Sequence, residues 1–200
     1  MELWIVVMIV VGLGFLMLLK ISEAKRKADR IWCVSYLKNI TLGSRVYAND
    51  HEELVPQQVT TNKGGSLEFV GTHQSWRHFT AMSYYLGDPS LLTCFADSLS
   101  ATSNWGQFGS SNLSYFISLD AGEANSQAIL AGDRDIRTGP PASHGILLLV
   151  ANRPVGWLGE IHSGSGNIGL ADGSVQQANS AALQAQVDAN RVATNRIELP

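Results

Sequence analysis

The chain has little charge and few cysteines, and both shortages exclude function classes. Its 14 Lys and Arg residues against 17 Asp and Glu residues leave a net charge of −3, which disfavours the basic surface of a nucleic-acid-binding protein. The one basic cluster follows the apolar N-terminal run, where it could meet lipid headgroups. Only two cysteines occur, Cys33 and Cys94, without the spacing of metal ligands. They form either a disulfide in an oxidising compartment or two buried thiols.

Patterns typical of catalysis are also missing. The sequence contains neither a Gly-x-Ser-x-Gly nor a His-Glu-x-x-His motif, and nothing singles out a triad around its five histidines. Residues 164–169 match Gly-x-Gly-x-x-Gly, but they open a glycine-rich strand rather than the helix on which a dinucleotide rests. We therefore expect neither an enzyme nor a cofactor. Asp120, Asp133 and Asp135 could contribute to a calcium loop, but we expect solvated turn carboxylates and no metal.

What is present is an apolar run from Leu3 to Leu19, followed directly by Lys20, Lys25, Arg26, Lys27 and Arg30. At 1.5 Å per residue the run covers about 25 Å, near the lower limit for crossing a bilayer. A cleavable signal would carry basic residues before the run and small residues after it. Residues 1–19 therefore predict a retained transmembrane anchor.

Residues 20–50 predict an amphipathic continuation of the same helix. Apolar side chains recur at three- and four-residue steps among charged ones, and from Ile31 onward they can form a stripe against a sheet. Asn49 to Glu53 has the polar character of a helix end, and Pro56 cannot continue the helix. We expect one helix of about 48 residues and about 70 Å.

Residues 51–200 predict one globular α+β head with an antiparallel sheet. A short helix is expected over Ser75–Leu86, and one capped by Asn179 or Ser180 carries Leu183 and Val187. Asp172-Gly173 predicts a tight hairpin with a type I′ turn. The predicted strands are Ser114–Leu119, Gln127–Ala131, Gly145–Val150, Val155–Ile161 and an edge strand over Arg196–Pro200.

Several segments together resemble type IV pilin-like proteins, and more closely the type II secretion pseudopilins abundant in Verrucomicrobia and Planctomycetes. The resemblance covers nearly the whole chain, and its order and spacing are more specific than any one motif. The matching segments are Ala24–Ile31, Cys33–Ile40, Tyr47–Asp50, Leu92–Asp97, Ser114–Asp120, Leu130–Arg134 and His162–Gly173. It implies a pilin-like fold, a prepilin-type N-terminal domain, and a single-pass inner-membrane subunit with a periplasmic head.

One departure from the family pattern concerns Glu2. Pilin-like precursors carry a basic leader that ends in Gly, and a Glu lies five residues after the cut. Glu2 matches that Glu, while the leader and cleavage site are missing. Either the start is too late or the chain is not processed. The resemblance implies that Glu2 is the assembly residue, meeting a neighbouring subunit's terminal amine in the helix bundle. The alternative is that Glu2 lies beside its own amine at the membrane surface and has no role in assembly. The basic residues after the anchor would instead place that side in the cytoplasm; we weight the family topology above them.

The resemblance thus implies a non-enzymatic structural subunit of a type II secretion or type IV pilus-like assembly. Its expected partners are the inner membrane, other pilin-like subunits and a secreted cargo, with no nucleic acid and no small-molecule cofactor. A different class is an anchored extracytoplasmic module that does not polymerise and holds a glycan or envelope protein through Trp105. Trp76 and Trp157 are expected in the core, and His162 at a strand end fixing the glycine-rich turn. A third hypothesis is an anchored hydrolase, which a Ser-His-Asp cluster in a cleft would favour.

Overall fold

The computed structural model describes residues 2–122, 125–190 and 194–200. One helix, α1, runs from Glu2 to Asp50 and confirms the continuous N-terminal helix expected from the sequence. In the described part of the chain, no helix has both the length and the hydropathy that a membrane span requires. The large apolar side chains from Trp4 to Met17 are 46–75% exposed, so this half of α1 makes little contact with the rest of the chain.

The second half of α1 packs on the head along one stripe. Cys33, Leu37, Ile40 and Tyr47 lie on this stripe and are at most 1% exposed, following the three- and four-residue steps of one helix face. Ile31, predicted to start the stripe, is 66% exposed, so the contact begins at Cys33 instead. The helix reaches the head two residues later than the apolar pattern indicated.

The head is built on an antiparallel sheet of six strands in the order β4-β8-β1-β2-β6-β7, with a two-stranded ribbon β3-β5. In the described ranges, three short helices follow α1, and five 3-10 turns lie in the connecting segments. The helices are α2 (Trp76–Ala81), α3 (Ser83–Leu86) and α4 (Ser180–Ala189). The strands are β1 (Tyr115–Ser118), β2 (Ile129–Asp133), β3 (Ile136–Thr138), β4 (Ile146–Val150), β5 (Val155–Trp157), β6 (Ser165–Leu170), β7 (Val175–Asn179) and β8 (Thr194–Glu198).

The sheet separates two apolar cores. Tyr115 and Ile117 of β1 point to the face covered by α1, whereas Phe116 points to the face covered by α4. Leu183 of α4 packs in the second core, as predicted, and Asn179 caps that helix by accepting a hydrogen bond from the backbone amide of Ala182. The α+β class and the antiparallel sheet are thereby confirmed.

Several predicted elements need correction. The C-terminal strand β8 is not an edge strand, because it pairs with β4 on one side and β1 on the other. The helix expected over Ser75–Leu86 is divided at Met82, whose φ of −91° and ψ of 9° leave the helical region. Strand β3 was not predicted, β5 ends at Trp157 rather than Ile161, and β2 begins two residues after Gln127.

The hairpin between β6 and β7 is present, but its turn is not type I′. A type I′ turn needs positive φ at both central residues, whereas only Gly173 has one, at 84°. The Gly173 amide donates to the Leu170 carbonyl, and the Leu170 amide donates to the Ser174 carbonyl, each at 2.9 Å. These bonds describe a three-residue loop with a glycine bulge, which needs left-handed backbone only at the glycine.

Candidate functional site

The most distinctive region is the junction where α1 leaves the head. A cleft of about 650 Å³ opens there, between residues 23–30 of α1 and the head residues Phe95, Ala96, Ile161, His162 and Ser163. Basic side chains outnumber acidic ones on the wall formed by α1. The basic residues there are Lys25, Arg26, Lys27 and Arg30, and the acidic ones are Glu23 and Asp29. The cleft therefore combines a net positive wall with an aromatic and imidazole wall.

A disulfide closes this junction. Cys33 of α1 and Cys94 of the loop before β1 are bonded, with their Cα atoms 5.3 Å apart. Of the two states left open by the sequence, the structure contains the bonded one. The backbone amide of Cys94 also donates to Ser114 Oγ at 3.0 Å, which holds the cysteine against the sheet. The long helix is thus covalently joined to the head at its first buried turn.

His162 lies against this disulfide rather than at an isolated turn. Its Nε2 atom is 3.5 Å from Cys94 Sγ, 3.5 Å from Asp133 Oδ2 and 3.2 Å from Asn167 Nδ2. Burial, together with the positive charge of Arg30, lowers the pKa of His162. The imidazole is therefore neutral near pH 7, and the Asn167 amide can donate to Nε2.

Asp133 and Asp135 are buried, so the expectation of solvated turn carboxylates is wrong for both. Asp133 Oδ2 accepts from the Asn167 backbone amide at 2.7 Å and from its side chain at 3.0 Å. Burial raises the pKa of Asp133 to about 7, although the hydrogen bonds from Asn167 oppose that rise. Asp135 Oδ2 accepts from the backbone amides of Gly159 and Ile161. Both carboxylates hold the segment that carries His162.

The third of these aspartates does not join the other two. Asp120 lies at the surface and pairs with Arg196, whose Nη2 donates to Oδ1 at 2.6 Å. Among the described residues, three acidic side chains are nowhere close enough together to form a carboxylate cation site. The described groups that could hold an ion together are Cys33, Cys94 and His162.

A second ion pair stabilises the loop that follows Cys94. Arg134 donates from Nε and Nη2 to the two carboxylate oxygens of Asp97, at 2.7 and 2.8 Å. Burial by itself would raise the pKa of Asp97, but the hydrogen bonds from Arg134 and Ser114 outweigh it and lower the pKa. This bidentate pair connects the disulfide loop to the end of β2.

The Asp172-Gly173 turn docks the hairpin on α1. Lys38 Nζ donates to the Gly173 carbonyl, and Arg45 Nη1 donates to the Asp172 carbonyl at 2.8 Å. In the adjoining strand, a Cβ at Gly169 would overlap Cγ2 of Thr41. A glycine there lets the sheet approach α1 closely. The turn predicted from Asp-Gly is therefore also a contact between head and helix.

A buried Ser-His-Glu chain was missed by the sequence reasoning. Ser66 Oγ is 2.7 Å from His78 Nδ1, and His78 Nε2 is 3.2 Å from Glu198 Oε2. All three residues are at most 1% exposed, so a substrate cannot reach the serine oxygen in the folded chain. Glu198 also accepts from the Gly71 amide at 3.2 Å. This hydrogen-bonded series satisfies buried polar groups and joins α2 to β8. It does not lie in a cleft, where a hydrolase would need it.

The tryptophans differ in their surroundings. Trp157 is 3% exposed, which confirms its place in the core, whereas Trp76 is half-buried with the Arg77 guanidinium 4.1 Å above its ring. Trp105 is half-buried against Phe108, and its indole N–H donates to the Gly87 carbonyl at 2.8 Å. Its polar group is therefore already bonded within the chain. Its proposed role in partner contact stays a prediction.

An exposed aromatic group beside the cleft gave no recognised signal in the sequence. Trp32 and Phe95 are 55% and 57% exposed, and their ring centroids lie 6.2 Å apart. The Tyr36 ring contacts both, with its centroid 5.6 Å from that of Phe95 and 6.4 Å from that of Trp32. The three rings meet because the disulfide brings the Cys94 loop onto α1.

The side chain of Glu2 lies outside the described residues, so its assembly role stays a prediction.

Comparison with known proteins adds no identification to this geometry. The chain matches no protein-family model, and searches of curated proteins and of solved structures give no match.

Proposed function

We propose that the protein is a membrane-anchored, pseudopilin-like structural subunit without enzymatic activity, which belongs to a type II secretion or type IV pilus-like assembly. The observation that carries the proposal is the exposed apolar half of α1. Side chains from Trp4 to Met17 surround the helix and are 46–75% exposed, so they need a cover of lipid or of neighbouring helices.

The size of this uncovered surface supports a permanent anchor. Burying the exposed half of one such side chain contributes about 1 kcal/mol, so covering the whole segment contributes on the order of 10 kcal/mol. That is comparable to the folding stability of a typical domain. A chain with this segment in water would associate through it.

The joint between α1 and the head suits a structural subunit. The disulfide, the docked hairpin and the buried stripe from Cys33 to Tyr47 fix the head on the helix at several points. Such a head moves with its helix rather than on a hinge. Because disulfides persist in oxidising compartments, the Cys33–Cys94 bond also supports a periplasmic head and an inner-membrane anchor.

A second candidate is an anchored binding module that does not polymerise. The cleft at the junction and the exposed Trp32 and Phe95 beside it favour this function, since clefts with aromatic walls and a few polar groups are typical ligand sites. The two candidates differ in whether α1 contacts copies of itself.

Two measurements on the full chain test the proposal. The first is membrane extraction: the protein should stay with the membrane in high salt and alkaline carbonate and be released only by detergent. The second is cross-linking in cells through one introduced cysteine, with V10C on the apolar half of α1 and Y84C as the control on the head, where Tyr84 is 90% exposed. We expect disulfide-linked dimers from V10C and few from Y84C.

The outcomes separate the candidates. Release without detergent would refute the anchor, and membrane retention without V10C dimers would favour the binding module over the structural subunit. In the V10C background, E2Q should reduce the dimer yield without reducing membrane retention, because a buried Glu needs a positive partner from a neighbouring helix. An unchanged yield would refute the assembly role of Glu2.

A further inference from the structure

Cys33 Sγ, Cys94 Sγ and a ring nitrogen of His162 all lie within 4.8 Å of one another. We propose that these three residues form a redox-dependent zinc site, which holds no metal while the disulfide is intact and binds Zn²⁺ when the disulfide is reduced. The site is independent of the structural role proposed above, since it needs neither the anchor nor an assembly.

The spacing matches the coordination of zinc. Tetrahedral bonds of about 2.3 Å to sulfur and about 2.0–2.1 Å to nitrogen place the two ligand atoms about 3.5 Å apart. Cys94 Sγ and His162 Nε2 are 3.5 Å apart in the structure. After reduction, the two sulfurs must separate from bonding distance to about 3.8 Å. Their Cα atoms, 5.3 Å apart, allow this by side-chain rotation.

The geometry around the histidine suits a metal ligand. Nε2 lies 3.2 Å from the Asn167 side-chain nitrogen, which also donates to Asp133 Oδ2. In the tautomer with the proton on Nδ1, Nε2 carries the lone pair that a metal ion binds. His162 also lines the cleft at the junction, and this gives a metal ion a route to the site.

Unpartnered polar atoms beside the three residues provide a separate observation. Asp133 Oδ1 and Asn167 Oδ1 are both buried and accept no hydrogen bond. Buried acceptors are usually partnered in folded proteins, so these two oxygens can accept a cation or a donor. The Asp133 carboxylate lies 3.5 Å from Nε2 and is the candidate for the fourth position.

The chemistry balances with a phosphine as reductant. Cys33 and Cys94 are at most 1% exposed, so the phosphine attacks the disulfide when local opening of the junction exposes the sulfurs. The S–S bond breaks, and water converts the adduct to phosphine oxide and two thiols. The disulfide gains two electrons and two protons, and the phosphine loses two electrons and gains one oxygen. Zinc then displaces the two thiol protons, and His162 supplies its lone pair without losing a proton.

The test uses the full chain in detergent, freed of metal and reduced anaerobically with tris(2-carboxyethyl)phosphine. Zinc content after desalting and competition with a chromogenic chelator measure binding, and Co²⁺ reports thiolate ligation through its sulfur-to-metal charge-transfer band. We expect one Zn²⁺ per reduced chain and none per oxidised chain. H162Q should weaken binding at least about tenfold, and D133N about 10- to 100-fold. H144Q, which changes an exposed histidine elsewhere, should bind as the unmodified chain does.

Each other outcome overturns the proposal. Equal zinc binding by the oxidised chain, or equal loss in H162Q and H144Q, would place the metal elsewhere. A reduced chain that binds no zinc would exclude the site. If reduction loosens the head, zinc must restore the circular dichroism of the oxidised chain, and failure to restore it would also refute the site.

Discussion

Removing the Cys33–Cys94 disulfide should strongly destabilise the head. The bond closes a loop of 61 residues. For a loop of that length, the chain-entropy relation gives a loss of about 14 cal/mol/K in the entropy of the unfolded state. At 25 °C this corresponds to about 4 kcal/mol of stability. For a head of this size, losing that stability should lower the midpoint of thermal unfolding by about 8–16 °C.

The assay is thermal and urea unfolding of the full chain in detergent with a metal chelator present, comparing the oxidised chain, the reduced chain and a C33A/C94A double variant. The reduced chain and the double variant should lose similar stability, since both lack the same restriction of the unfolded state. Reductant should not change the double variant, which makes it the matched control. A loss below about 1 kcal/mol in both would refute the loop-closure reasoning, because the helix would then be held mainly by its apolar stripe.

Three other contacts allow direct tests. G169A should cost about 1–3 kcal/mol in urea unfolding, because the added Cβ would overlap Thr41, whereas G109A, with nothing within 4 Å of its Cβ, should be near neutral; equal effects would contradict the close-approach argument. D97N should cost about 1–2 kcal/mol at pH 7. Since the pKa of Asp97 is lowered, its contribution is complete above about pH 4 and is lost as pH falls further, so a cost that stays constant down to pH 2 would be inconsistent with the ion pair. Ser66 should remain unlabelled by a fluorophosphonate in the folded chain, and labelling detected by mass spectrometry without unfolding would restore the hydrolase hypothesis.

The sequence predicted the parts of the fold that depend on near neighbours. The helix pattern, the break before Pro56, the Asn179 cap and the Asp-Gly hairpin each depend on residues a few positions apart, and all are present. Two errors are local, namely the turn type at Asp172-Gly173 and the division of the helix at Met82. Other errors occur where a distant partner decides. The strand β8 lies inside the sheet because β4 and β1 both pair with it, which its own residues do not reveal.

The junction shows the same division. The sequence indicates Cys33, Cys94 and His162 separately, but nothing in it predicts that the three lie beside one another. The turn residues around Asp133 and Asp135 predict solvated carboxylates, whereas the fold buries both, and both accept hydrogen bonds from backbone amides. The exposed aromatic rings of Trp32 and Phe95 also meet only through the disulfide.

Local patterns are sufficient to predict an apolar helix that continues into an amphipathic one, and an α+β head with antiparallel strands, because side-chain periodicity involves residues a few positions apart. The cysteine state, the burial of the carboxylates and the grouping of polar side chains into one site follow from the three-dimensional fold. Those properties depend on packing between segments far apart in the chain. There, desolvation and long-range contacts determine the free energy of burying each polar group.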